Sequence, residues 1–312
     1  MCGPQRGELT WPECSPTGSP HADEELEERV AALAAEDRVP GLTLTSGAGL
    51  FAEEVARSVA RIDGMRLLAT SPLDGVITNP ADLAWDAWRA IVWHDRCGDK
   101  EAATWLAFLA THFGRRNEDD DPWRSTRAVY SAFGEGVLSW ERVAASPADI
   151  STVCQVHAEE CCRLKFANHR KFETPRPNHP LGVDAVLRSY VEGIIERTGG
   201  SQATLFSVPN ESPTGRFERL MRELQFVKRF GRTALFDLLT LLGNLGVYDL
   251  APGRICLVGA TGPLRGAKMM FGGADTRTLE ARANKMARRL DVPIQAVEDA
   301  LCNWQKHPEI GG

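Results

Sequence analysis

The stretch Asp99–Gly114, DKEAATWLAFLATHFG, decides the fold class. Ala102, Trp105, Leu106, Leu109 and Phe113 recur at i, i+3, i+4, i+7 and i+11, the spacing of one face of an α-helix. Asp99 stands where an N-cap carboxylate accepts from the first free N–H groups, and Gly114 where a helix stops. The same periodicity recurs outward in both directions. Upstream it predicts an acidic helix over Asp23–Glu36, with Leu26, Val30 and Leu33 on one stripe, and a second over Gly49–Ile62. Downstream it predicts helices over Trp123–Phe133, Pro147–Arg163, Val183–Ile194 (ended by Gly199-Gly200), Arg216–Phe230, Thr233–Leu245, Thr276–Leu290 and Pro293–Lys306. Turn signals fill Gly64–Asp82. Leu42–Ser46 reads as a β-like or turn segment, and only Arg254–Val258 as a candidate strand. The prediction is an all-α chain, with an unstructured lead-in over 1–20, an acidic helical region over 21–80 and a helical domain over 81–312.

The 312 residues are 43% hydrophobic, enough for a buried core. The longest apolar run falls short of the roughly 20 residues a membrane span requires. Met1–Pro20 is polar and has no apolar signal segment, so the expected compartment is the cytoplasm. Eight cysteines spread over such a chain read as free thiols. Cys154 and Cys161 have the spacing that opens a four-cysteine iron–sulfur loop. The next two positions hold Leu164 and Arg170, which removes that reading, and no Cys/His set has zinc-finger spacing. No cofactor or metal is expected. The net charge of −6 conceals an asymmetry: residues 1–150 carry 14 Lys+Arg against 25 Asp+Glu, a net −11, while residues 151–312 carry 22 against 17, a net +5. A basic half suits a phosphate-bearing partner, since cations gain by displacing condensed counterions; a solvated surface carries such an excess equally well.

Three segments are too polar or glycine-rich for plain helix packing. His94-Asp95-Arg96-Cys97-Gly98-Asp99-Lys100 caps a helix, or else presents His94 and Asp95 to a cleft. Phe166-Ala167-Asn168-His169-Arg170-Lys171-Phe172-Glu173 is basic and flanked by aromatics. Arg170 and Lys171 suit phosphate, Asn168 and His169 a base edge, and Phe166 or Phe172 the face of an extruded base. Lys171 would serve as an amine nucleophile were its pKa depressed. The third segment runs from Arg229 to Gly273. Asp237 lies there among Leu235, Phe236, Leu238 and Leu239, a costly place for a carboxylate unless paired or functional, with Arg232 as a candidate partner. The glycines of Gly259–Lys268 allow a tight turn whose N–H groups face a phosphate, and Gly262, Arg265 and Lys268 belong to that reading. Arg282, Lys285 and Arg289 form a cationic row that either tracks a phosphate backbone or is a solvated face.

HDRCGDKEAATWLAFLATHFGRR (94–116), FANHRKFET (166–174) and FGRTALFDLLTLLGNLGV with GATGPLRGAKMMFGG (230–247, 259–273) carry a resemblance. In that order they resemble the alpha-glutamyl/putrescinyl thymine pyrophosphorylase clade 3 family, over roughly residues 80–275. The resemblance implies a DNA glycosylase-like helical fold with a helix-hairpin-helix-type element gripping double-stranded DNA. The family name implies displacement of pyrophosphate from a modified thymine, while some relatives are similar to defence enzymes that remove bulky hypermodified bases from phage DNA. Superfamily hairpins space two glycines by one residue, with Ala four residues on. Here Gly259 and Gly262 are spaced by two, and Ala267 lies five beyond. Gly231–Ala234 resembles a hairpin's closing half, with Asp249 18 residues after Gly231. Asp237 and Asp249 therefore both stand as the catalytic aspartate.

The resulting expectation is a glycosylase that flips out and excises a hypermodified pyrimidine, such as glucosylated hydroxymethylcytosine, leaving an abasic site in defence against phage. The alternatives are a transferase joining an amino acid or polyamine to a pyrophosphorylated hydroxymethyl pyrimidine in DNA, and a non-catalytic sensor of modified DNA.

Overall fold

The computed structural model describes residues 20–73, 75–82, 84–167 and 170–311. Sixteen α-helices form among them: α1 (Pro20–Glu36), α2 (Gly47–Thr70), α3 (Ala87–Arg96), α4 (Lys100–Phe113), α5 (Arg124–Tyr130), α6 (Trp140–Ala145), α7 (Ala148–Val156), α8 (Ala158–Cys162), α9 (Val183–Thr198), α10 (Gln202–Phe206), α11 (Pro213–Glu223), α12 (Arg232–Asn244), α13 (Gly262–Phe271), α14 (Thr276–Leu290), α15 (Ile294–Trp304) and α16 (Pro308–Gly311). No strand forms among the described residues, and one isolated bridge pairs Thr174 with Gly182. The fold is all-α. Arg254–Val258 is irregular, with Cys256 at φ 56°, a left-handed conformation incompatible with a strand. Leu42 lies in a 3₁₀ turn, Pro40–Thr43.

The chain divides into two compact units. One comprises Met1–Gly64 and Thr261–Gly312, the other Met65–Ala260. In the first, α1 buries Leu26, Val30 and Leu33 against α14, which buries Leu279, Ala283, Met286, Ala287 and Leu290. The Arg29 guanidinium donates to the last carbonyl of α14, Leu290 O, at 2.7 Å. Helices α13 and α15 pack tightly at Gly266, where a Cβ would stand 2.1 Å from Leu301 O. Ala for Gly inside a helix ordinarily stabilises by about 0.5–1 kcal/mol. Here the backbone contact reverses the sign, and Gly266→Ala is expected to cost about 1–3 kcal/mol, read from the denaturant midpoint.

In the second unit α4 is the central helix. Trp105, Leu106, Phe108, Leu109 and Phe113 are fully buried, and so are the residues facing other ways, Ala103, Thr104, Ala107 and His112. A helix surrounded on all sides needs no polar face; Phe108 stacks on Tyr190 of α9 at 3.9 Å between ring centres, and Trp105 donates to Leu138 O at 2.7 Å. The sequence-predicted N-cap holds, with Asp99 accepting from Ala102 N–H at 2.9 Å.

Candidate functional site

The segment between α8 and α9 is built around one buried cation. Ala167 N–H donates to Phe113 O at 2.7 Å at the end of α4. Gly114, at φ 75°, permits this approach, because a Cβ there would meet the Ala167 Cβ at 2.7 Å. Arg170 then turns inward and is only 6% exposed. Its guanidinium donates to Arg229 O at 2.6 Å and to His112 Nδ1 at 2.9 Å, and lies over the Phe230 ring at 4.8 Å. Glu173, whose side chain is 7% exposed, stands 3.6 Å from Arg170 and 3.2 Å from Arg229. Burial pulls the Arg170 pKa down; Glu173 and Asp237 of α12 oppose that, while Arg229 adds to it. The sequence candidates Arg170 and Asp237 are therefore electrostatic neighbours, although 67 residues separate them.

His112 completes this cluster, and sequence reasoning missed it. It is fully buried, with the rings of Phe113 and Phe166 at 4.8 and 5.3 Å and those of Phe108 and Phe230 at 6.2 and 6.4 Å. Desolvation, reinforced by the Arg170 charge, holds its pKa well below 6.5, so the ring is neutral. Arginine only donates, which makes Nδ1 the acceptor and assigns the proton to Nε2. Nε2 is buried without a hydrogen-bond partner among the described residues. The one available signal was a histidine inside WLAFLATHF. The same applies to Glu173 and Arg229, whose roles depend on a partner distant in sequence.

A titration consequence follows. The unfolded chain takes up a proton on His112 as pH falls through about 6.5, whereas the folded chain resists until much lower pH. Stability is therefore complete above that range and falls below it, by up to about 1.4 kcal/mol per pH unit. The group facing Nδ1 is Arg170, which opposes protonation at every such pH. Urea midpoints between pH 5 and 7 are expected to decline for the natural protein, with a flatter profile for His112→Gln.

The remaining candidates occupy distinct places. Phe166 is buried and stacks on Phe113, whereas Lys171 and Phe172 are exposed. Asn168 and His169 lie outside the described residues. Arg232 donates to Cys256 O at 2.7 Å and to Ile255 O, fastening the irregular 254–257 segment. Asp249 is exposed, and its carbonyl accepts from Arg216 at 2.9 Å. His94 and Asp95 join a second polar group. His94 Nε2 lies 3.4 Å from the Tyr130 hydroxyl, and Asp95 lies 2.7 Å from Lys100, which also donates to Val247 O. Burial lowers the His94 pKa against the Asp99 charge, and burial first and Asp99 second push Tyr130 up to about 12.

In the first unit, Gly262 opens α13, and a Cβ on it would meet Cys302 Sγ at 2.5 Å, so packing against Cys302 favours glycine there. Arg265 and Lys268 are exposed on that helix. The row on α14 is engaged: Arg282 donates to Phe271 O at 2.9 Å, Lys285 pairs with Asp37 at 3.1 Å, and Arg289 pairs with Glu36 and Asp37. Exposed pairs of this kind contribute about 0–1 kcal/mol, so phosphate can compete for these cations, but they are not free.

No curated protein and no solved structure matches the chain. A family match extends over residues 48–310, taking in α2 to α15 and every element of the Arg170 cluster. With that much of its length matched, the chain belongs to the alpha-glutamyl/putrescinyl thymine pyrophosphorylase clade 3 family.

Proposed function

We propose that the chain is a DNA glycosylase that extrudes a hypermodified pyrimidine, such as glucosylated hydroxymethylcytosine, and hydrolyses its N-glycosidic bond in defence against phage. Family membership supports the broader statement, an enzyme acting on modified bases in DNA. The observation that carries the finer reading is Asp237: a half-buried carboxylate on α12 whose charge acts on the buried Arg170. Cleavage of the bond leaves the electron pair with the base and positive charge on C1′. A fixed carboxylate stabilises that oxocarbenium ion, and water adds at C1′ to give the abasic sugar. Asp249 is the weaker candidate, because exposure screens its charge. Lys171, exposed beside Arg170, supplies a phosphate contact.

A second reading rests on the family's description as a thymine pyrophosphorylase. In it an amine displaces pyrophosphate from the hydroxymethyl carbon of the pyrimidine, and the glycosidic bond survives. Mass spectrometry of small molecules released from DNA separates the two. The panel is unmodified, hydroxymethylated and glucosyl-hydroxymethylcytosine DNA, incubated with the pure protein and nothing else. A free modified base with an abasic site is the expected result. Absence of release from all of these, with pyrophosphate released from pyrophosphorylated DNA on adding putrescine, establishes the transfer instead.

A further inference from the structure

Arg170–Glu173 is a β-turn, closed by Glu173 N–H donating to Arg170 O at 2.9 Å. Its two ends are fixed inward. Arg170 is held by His112 and Arg229 O, and Glu173 lies between Arg170 and Arg229. The two central residues, Lys171 and Phe172, are consequently driven outward. Phe172 is 78% exposed, the most exposed large apolar side chain among the described residues, with the Lys171 ammonium 5.1 Å from its ring centre. A ring on a flexible loop could fold back onto apolar surface; this one is kept in water by ion-paired neighbours on both sides.

The surroundings are cationic. Between Arg163 and Gly182 the sequence carries five Lys+Arg and one acid. Lys171, Arg176 and, in the link before α12, Lys228 are exposed and make no ion pair among the described residues, whereas the exposed Lys165 acts on Asp119. An exposed ring with an ammonium beside it, on a segment rich in cations, fits a ligand with flat π-faces strung on phosphates.

We propose that Phe172 enters the base stack of bound DNA, stacking on a base beside the extruded nucleotide while Lys171 beside it holds a flanking phosphate. The proposal rests on DNA being the substrate and is independent of which bond the enzyme breaks. The closed turn supplies part of what stacking needs, since the backbone that carries the ring is already held at both ends and less freedom is lost on binding. Unstacking the nucleotide is unfavourable, and an aromatic filling the gap returns part of that loss.

The test uses the full chain and a short DNA duplex carrying one unpaired thymine beside 2-aminopurine. The natural protein is expected to bind it and change the 2-aminopurine emission. Phe172→Ala should weaken binding about tenfold and suppress the emission change. Phe172→Trp should restore both, with its own indole emission quenched by DNA. Because the side chain is exposed, both variants should keep the natural circular dichroism and urea midpoint. Equal affinity and an equal emission change for natural protein and Phe172→Ala would overturn the proposal. Failure of the natural protein to bind any DNA, with binding to anionic vesicles instead, would sink it together with the DNA reading. Failure of base release alone leaves this test intact, so the glycosylase reading and the stacking role can fall separately.

Discussion

Asp237→Asn is expected to lower base release by at least about a hundredfold, the scale on which removal of one preorganised electrostatic group acts. DNA affinity should be unchanged or slightly higher. The substitution is nearly isosteric, so the packing of Leu235, Phe236, Leu238 and Leu239, all buried beside it on α12, is undisturbed. The lost charge is of the same sign as the phosphates, so binding has nothing to lose from its removal. Single-turnover release from glucosyl-hydroxymethylcytosine DNA, with affinity measured in parallel, gives the two numbers. Release at the natural rate would remove Asp237 from the mechanism. The same substitution at the exposed Asp249 is the control, and a small effect is expected there.

Arg170→Met should be the most damaging substitution for stability, at about 3–5 kcal/mol. The methionine keeps most of the aliphatic stem over Phe230 but removes every donor. Glu173 would retain only the half-exposed Arg229. His112 Nδ1 would lose its donor, leaving both ring nitrogens without a hydrogen bond among the described residues. Removing one partner from a buried charged cluster leaves the others desolvated, and that residue of uncompensated polarity is the main cost. Urea or guanidinium unfolding followed by circular dichroism measures it, and a loss under about 1 kcal/mol would mean that the cluster relaxes easily. Trypsin offers an independent check: Lys171-Phe172 is an exposed bond held in a closed turn, and cleavage there should accelerate in the variant.

Much of the helical order was legible because it is written locally. Thr276–Leu290 has the same ends in the sequence pattern and in the structure, with Asp275 accepting from Thr278 N–H at 3.0 Å as its N-cap. Elsewhere tertiary packing overrode local signals. α2 runs through the Asp63-Gly64 turn signal to Thr70, because Ile62 and Met65 on either side are both buried. The expected helix Pro147–Arg163 breaks at His157, where ψ is 41°, although neither glycine nor proline stands there. The His157 ring instead stacks on Phe133 at 4.9 Å. The site was legible only as residue types. Asp237, Arg170 and the exposed Lys171-Phe172 pair stood out as polar or aromatic residues in unusual company. No periodicity relates residue 112 to residue 170, 58 positions on, so the histidine that fixes the arginine could not be found that way. The cations of α14 illustrate the converse. Their spacing was read correctly, but Glu36 and Asp37 bind them from 248 or more residues upstream.

The grouping of residues 1–64 with 261–312 in one compact unit has a consequence for synthesis. The intervening unit is continuous in sequence, while the first unit must wait for α13, α14 and α15 to be made. At about 5–20 residues per second, the N-terminal segment spends on the order of ten seconds or more without its partner. Throughout that time the stripe Leu26, Val30 and Leu33 lies open to other nascent chains. Glu24, Glu25, Glu27 and Glu28 crowd the same helix, and their mutual repulsion keeps such a helix solvated and apart from its copies. The acidity of α1 thus acts as a gatekeeper for a unit whose two segments are separated by residues 65–260.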